Sequence, residues 1–318
     1  MKRRTFIAAG LGATGMGAAT GAGADGRAIT LWVPWPAGSP TDQALRVLAE
    51  AASQRLQQPV QVHNRPGAAG TLAMPLLQQA APDGLTLAQL PQTVLRAPWL
   101  HPVAWDPLRD TTPILQVAGT TFGIVVPAAS PWRTLDHLLA HAAERPDELS
   151  IATSGIGSTP HLVLDTLMRR RDARWTHVPY KGVNEMVLAI AAGQVMAGAG
   201  STGFGPFIDD GRLRLLATFG ATRSRRWPAV PTLKELGHGL VATSPWGLAG
   251  PRGLAPAVVD RLHAAFRAAA LEPGFLAELA KADQAPALLG PADYAATLRE
   301  AYRDEQRAAE QLGLARAG

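Results

Sequence analysis

Apolar residues recur along this chain in two alternating rhythms, and each rhythm predicts an element. Ile29-Thr30-Leu31-Trp32-Val33 reads as a strand, and Leu45, Leu48, Ala49, Ala52 and Leu56 then fall on one helical face. Val60-Gln61-Val62 is the next strand, with Leu72, Leu76 and Leu77 marking a helix behind it and Leu85-Thr86-Leu87-Ala88 another strand. Residues 114–117, 123–126 and 149–152 are strand-like, and Leu162, Val163, Leu164, Leu167 and Met168 form a helical face after the last of these. A strand ending at His177-Val178-Pro179-Tyr180-Lys181-Gly182 leads into a helix through Val187, Leu188 and Ala191; residues 195–197 and Leu213–Thr218 are short strands. Beyond Pro228, proline and glycine punctuate the chain until two helical patterns, 256–270 and Pro291–Gln311, close it. Strand and helix alternate through residue 218, which predicts an α/β fold of parallel sheets covered by helices.

Two of the strand-to-helix loops carry a common chemistry. Thr153-Ser154-Gly155-Ile156-Gly157-Ser158-Thr159-Pro160-His161 places Thr159 as the expected N-cap and Pro160 as the first helical residue, where a missing N–H costs nothing. Pro34-Trp35-Pro36-Ala37-Gly38-Ser39-Pro40-Thr41-Asp42 repeats the device. Ser39 caps, Pro40 opens the helix, and Asp42 is spaced to reach back to the Ser39 N–H as a capping box. Open N–H groups at the positive end of a helix suit an anion.

Composition narrows the setting. Lys2-Arg3-Arg4, a glycine- and alanine-rich run and Ala22-Gly23-Ala24 read as a cleaved secretory signal over residues 1–24, with the paired arginines pointing to the twin-arginine route. Removing it lowers the formal charge from +5 to +2, so the basic balance is no argument for a nucleic-acid partner. Cysteine is absent, which excludes disulfides and thiolate catalysis. A periplasmic, monomeric protein without metal or cofactor is expected. Enzyme motifs are missing: there is no Gly-x-Ser-x-Gly elbow, no His-Glu-x-x-His, and the eight histidines lack metal-ligand spacing. Gly198-Ala199-Gly200-Ser201-Thr202-Gly203 matches a dinucleotide fingerprint, but Pro206 follows soon after and no acidic residue lies about twenty positions on.

Several stretches, in order, resemble the Bug-type extracytoplasmic solute receptors, the substrate-binding proteins of tripartite tricarboxylate transporters. They are Val33-Pro34-Trp35-Pro36 with Thr41-Asp42, Asn64-Arg65-Pro66-Gly67, Ala81-Pro82-Asp83-Gly84, Asp106-Pro107-Leu108-Arg109-Asp110, Gly155–Leu162, His177–Gly182, Gly193-Gln194-Val195 and Pro231-Thr232. The resemblance implies a two-lobed periplasmic binding protein fold of type II, each lobe a mixed, mostly parallel sheet flanked by helices. The chain would cross between lobes twice. Interruptions in the alternation place residues 27–122 and 223–318 in one lobe and 123–222 in the other. It further implies a small carboxylate or related organic acid in the cleft and permease subunits in the membrane as partners; a membrane signalling partner is the alternative. The candidate ligand contacts are Trp35, Ala37, Gly38, Ser39, Thr41, Thr93, Thr153, Ser154, Ser158, Thr159, His161, Tyr180, Lys181, Gly182 and Ser201. No arginine neighbours the two helix starts in sequence, so N–H groups and hydroxyls are expected to hold the carboxylate, with Lys181 the nearest cation. Pro40 in the first loop and Met196 after Gly193-Gln194-Val195 depart from the family's pattern.

Overall fold

A computed structural model of the chain describes residues 26–311 and 313–314. The expected signal segment, residues 1–24, lies outside them. In chain order the elements are β1 (Ile29–Val33), α1 (Pro40–Leu56), β2 (Val60–Asn64), α2 (Met74–Gln78), β3 (Thr86–Leu90), α3 (Thr93–Leu100) and β4 (Thr111–Thr120). Next come β5 (Phe122–Pro127), α4 (Leu135–Glu144), β6 (Ser150–Thr153), α5 (Thr159–Arg169), β7 (Thr176–Pro179) and α6 (Val183–Ala191). They are followed by β8 (Ala197–Ser201), α7 (Gly205–Asp209), β9 (Leu213–Thr218), β10 (Ser244–Pro251), α8 (Pro256–Ala269), α9 (Pro273–Lys281), β11 (Ala285–Leu289) and α10 (Pro291–Gln311).

The strands form two mixed sheets, ordered β11-β4-β10-β3-β1-β2 and β7-β6-β8-β5-β9. In the first, β1 lies parallel to β2 and β3, while β10 runs antiparallel to both β3 and β4. In the second, β6 is parallel to β7 and β8, while β5 is antiparallel to β8 and β9. The antiparallel pairings come from β5, β10 and β11, the strands nearest the two crossings or following them. Parallel order is kept where strand and helix simply alternate.

Helices cover both sheets as their apolar faces dictate. Leu45, Leu48, Ala49, Ala52 and Leu56 of α1 are buried against β1 and the helices α8 and α9. Leu164, Leu167 and Met168 of α5 are buried in the core of the second sheet. Each fully buried leucine contributes about 2 kcal/mol relative to exposure. The patterns also overshoot in places: Leu72 and Leu188, read as helix-face positions, are exposed.

Two crossings join the sheets. β4 ends at Thr120 and β5 begins at Phe122, so the chain passes between sheets in one step. Residues 219–242 are anchored to the second sheet at Phe219, Leu233 and Ala242, while Arg226 reaches across to the Lys281 carbonyl and Asp283. The Thr218 N–H donates to the Pro231 carbonyl, Leu233 N–H to Thr218 and Ala242 N–H to Phe219, and Leu233 is fully buried. The backbone rejoins the first sheet only at Ser244, later than the expected return at residue 223. Ser244 pairs directly with Thr120, so outgoing and returning strands lie side by side.

β10 is the element least visible in the sequence, although it sits in the middle of its sheet. Ser244-Pro245-Trp246-Gly247-Leu248-Ala249-Gly250-Pro251 reads as loop because of its prolines and glycines. Gly247 has a packing cause: a Cβ there would lie 2.4 Å from the Leu115 carbonyl and 2.6 Å from the Tyr294 ring. Glycine inside a strand often marks such a close approach.

Candidate ligand cleft and the two helix starts

Between the two sheets lies a cleft partly open to solvent. The first loop, α1 and the β3–α3 corner form one wall with β10; the α5 start, Gly182 with Val183, and Ser201 form the other. Thr120, Phe122 and Ser244, the residues of the paired crossings, lie in it as well.

At the α1 start, Ser39 is the N-cap as expected, its Oγ accepting the Asp42 N–H at 3.4 Å. Asp42 does not complete the box on Ser39, whose N–H goes to the Pro36 carbonyl. Its Oδ2 accepts the Gly38 N–H at 2.8 Å and Arg46 Nε at 3.0 Å, and its Oδ1 accepts Asn64 Nδ2 at 2.7 Å. The buried Asp42 carboxylate is thus a bracket for the loop, and Asn64 braces the same loop through the Trp35 carbonyl at 3.0 Å. It also sets a negative charge in the first turn of α1.

At the α5 start the N-cap is Ser158, one residue earlier than expected. Its Oγ accepts the His161 N–H at 3.4 Å, and Thr159 and Pro160 are the first helical residues. The shift follows from Gly157, at φ +74°, which turns the chain one step sooner. No acidic residue stands in this first turn. Contrary to the expectation of no nearby arginine, Arg96 reaches it from α3. Arg96 donates through Nη1 to the Gly157 carbonyl at 2.8 Å and through both Nη atoms to Thr159 Oγ1 at 3.4 Å. Its remaining donors pair with the buried Glu305 of α10 at 2.6 and 2.8 Å, and Gln92 Nε2 supports Glu305 at 2.8 Å.

The donors left for a ligand can be counted from these bonds. Pro40 and Pro160 have no N–H, and the Asp42 and His161 N–H groups are taken by the cap serines. The Thr41 and Thr159 N–H groups have no partner among the described residues. Since Thr159 Oγ1 accepts from Arg96, its own proton is free to point elsewhere. The Ser158 and Ser39 hydroxyls, each accepting one N–H, are left to donate in the same way.

Of the residues singled out from sequence, the cleft brings together Trp35, Ser39, Thr41, Thr93, Ser154, Ser158, Thr159, Gly182 and Ser201. The other six lie outside its lining. Ala37 is exposed beyond it, and the Gly38 carbonyl accepts Asn184 Nδ2 from α6 at 3.1 Å, a bond across the cleft mouth. Thr153 is fully buried behind the loop, where its hydroxyl meets His177 Nε2 at 2.7 Å. His161, Tyr180 and Lys181 line a separate outer groove. His161 turns away from the cleft because its Nδ1 accepts the Gly157 N–H at 3.1 Å while its ring stacks on His177, centroids 4.1 Å apart. Burial holds the His161 imidazole below its ordinary pKa; burial, and after it the neighbouring His161, pushes His177 down to about 4.

Sequence reasoning missed Gln89, Thr120, Phe122, Ser244 and Trp246, which the sheet assembly delivers to the cleft. Gln89 had a local signal, as a lone amide inside the apolar run of β3. Among the described residues, none of the side chains lining the cleft is charged.

Residues 44–314 match the model of the tripartite tricarboxylate transporter family receptor. A Cupriavidus necator protein, the UPF0065 protein in the gbd 5′ region, is 42% identical over 326 positions covering 100% of both chains. BugT of Bordetella pertussis is 33% identical over 242 residues, 74% of each chain. Among solved structures, the periplasmic binding protein BugD superposes with a TM-score of 0.86 at 25% identity, covering 92% of this chain and 99% of its own. MatC from Rhodopseudomonas palustris, with bound malate, gives 0.81 at 26% identity over 89% and 98%. Rpa4515 of R. palustris, with adipate, gives 0.84 at 25% identity over 91% and 98%. The chain therefore has the periplasmic binding protein fold of BugD and belongs to the tripartite tricarboxylate transporter receptor family, whose members are solute-binding receptors and not enzymes.

Proposed function

We propose that this chain is the periplasmic receptor of a tripartite tricarboxylate-type transporter, exported by its N-terminal signal, and that it captures a small carboxylate between two lobes for membrane permease subunits. The observation that carries this reading is a cleft with a proline-containing helix start on either wall, each keeping one free N–H and two hydroxyls. The malate and adipate held by two structural relatives support the ligand class.

One lobe comprises residues 27–120 and 244–311, the other 122–242, and the paired strands at Thr120 and Ser244 form the hinge. The carboxylate sits at the α5 start, on the Thr159 N–H and the Ser158 and Thr159 hydroxyls. Arg96 acts as a positioning residue: it orients the Thr159 hydroxyl and bridges α3 to the α5 loop. Asn184 with Gly38, and Arg96 with Gly157, are bonds that join the lobes when they close. Closure over the ligand excludes water, which strengthens these hydrogen bonds. Titrating purified receptor with C4–C8 carboxylates, read by calorimetry and by solution scattering, tests this. Saturable binding with a smaller radius of gyration is expected; binding of no carboxylate, or an unchanged radius at saturation, contradicts it.

A further inference from the structure

One polar group on the cleft wall is left without a use inside the described fold. Gln89 is 1% exposed and lines the cleft from β3, and its Oε1 has no hydrogen-bond partner among the described residues. Buried amide oxygens are almost always paired, so an orphan in the wall of a binding cleft asks for a donor from the occupant. Its neighbours on that wall are of the same kind. Thr120 and Ser244 offer hydroxyls, and the Trp246 ring presents apolar surface because its Nε1 is already given to Gln284 at 3.3 Å.

A carboxylate fits this wall poorly. It cannot donate to Gln89 Oε1, no cation among the described residues lines the cleft, and the Arg46 guanidinium near the α1 start is already paired with the buried Asp42 carboxylate. Taking a second carboxylate out of water there would go uncompensated. The α5 start differs, with Arg96 beside it and no acid in its first turn.

We propose that the cleft selects a monoanion: one carboxylate at the α5 start, an apolar body against Phe122 and Trp246, and an uncharged hydrogen-bond donor facing Gln89. This rests on the carboxylate-receptor reading and narrows it. A primary amide is the best-matched far end, since it both donates and accepts and so satisfies the Gln89 side chain in either orientation. Gln89 is then the residue that separates this receptor's ligand from a dicarboxylate.

The experiment pairs two ligand series of equal length, the C4–C8 α,ω-dicarboxylates and their monoamides, by calorimetry on the wild-type protein. The best monoamide should bind at least about tenfold tighter than the dicarboxylate of the same length. Gln89→Leu should weaken that monoamide about tenfold while leaving the unsubstituted monocarboxylate unchanged or tighter. Dicarboxylates binding as tightly as the monoamides would overturn this inference and leave the receptor reading standing. So would a folded Gln89→Leu protein that binds the monoamide like wild type, and the wild-type comparison decides the point without the variant. If neither series binds, both this inference and the carboxylate reading fall.

Discussion

The starts of α1 and α5 are near-copies in sequence and differ in electrostatics. One reads Ser39-Pro40-Thr41-Asp42 and the other Ser158-Thr159-Pro160-His161. Both use serine as the N-cap, and both end with one threonine N–H and two hydroxyls to spare. Their fourth positions part company. Asp42 places a buried carboxylate against the helix end, where it satisfies Gly38, Arg46 and Asn64. His161 is a neutral ring that accepts the Gly157 N–H, and the Arg96 guanidinium reaches this helix start through the Thr159 hydroxyl. A helix N-terminus is worth about 0.3–1 kcal/mol to an anion, so a buried carboxylate in the first turn already uses that attraction. Two helix starts with equal hydrogen-bonding capacity are therefore unequal anion sites.

The largest effect expected from this contrast is on stability. Arg96 and Glu305 are both buried, and Arg96→Ala would leave Glu305 without its main partner. A loss of about 3–5 kcal/mol in denaturant unfolding is expected for breaking such a pair. Arg46→Ala, the counterpart at α1, should cost less than about 1 kcal/mol, because Arg46 is half-exposed and Asp42 keeps its other two donors. Equal losses at the two sites would remove the distinction.

Binding comes next in size. Ser158→Ala should weaken carboxylate binding by about 1–2 kcal/mol in calorimetry, and Ser39→Ala by less than half of that. Asp42→Asn should sharpen the comparison from the other side. With the α1 start no longer negative, dicarboxylates should gain a few-fold in affinity, about 0.5–1 kcal/mol. A decrease would mean that Asp42 acts only as a loop bracket.

The histidine pair behind α5 adds a pH dependence that α1 lacks. His177 has a folded pKa of about 4 against an ordinary 6.5, and His161 is shifted in the same direction, both chiefly by burial. A lowered folded pKa means that the unfolded chain binds the proton first. Stability should be full above about pH 6.5 and fall as the pH drops toward about 4. His177→Gln, measured by thermal unfolding across that range, should flatten the decline; an unchanged slope would assign it elsewhere. The smallest effect belongs to Lys181, which is exposed in the outer groove: Lys181→Ala should leave affinity unchanged within error.

What the sequence made legible was local. Strand, turn, cap serine and N-terminal proline are encoded within a few residues of one another, so both helix starts could be read directly, the second off by one at Gly157. Three features were not legible because assembly makes them. Arg96 lies 61 positions from Gly157 and meets it only when α3 packs over the α5 loop. β10 hides its strand character behind prolines and a glycine imposed by Tyr294. Thr153 and His161 carry the right chemistry, but their side chains are spent on His177 and Gly157 behind the cleft.

The central claim is that the α5 start, and not its near-copy at α1, holds the ligand's carboxylate. Thr159→Val and Thr41→Val are equivalent deletions of one hydroxyl at the two starts. Calorimetry of both against the tightest-binding member of the C4–C8 carboxylates measures the contrast directly, with unfolding curves confirming that each variant is folded. The expected result is that Thr159→Val loses about tenfold in affinity and Thr41→Val changes it less than about twofold. Equal losses, or a larger loss at Thr41, would contradict it.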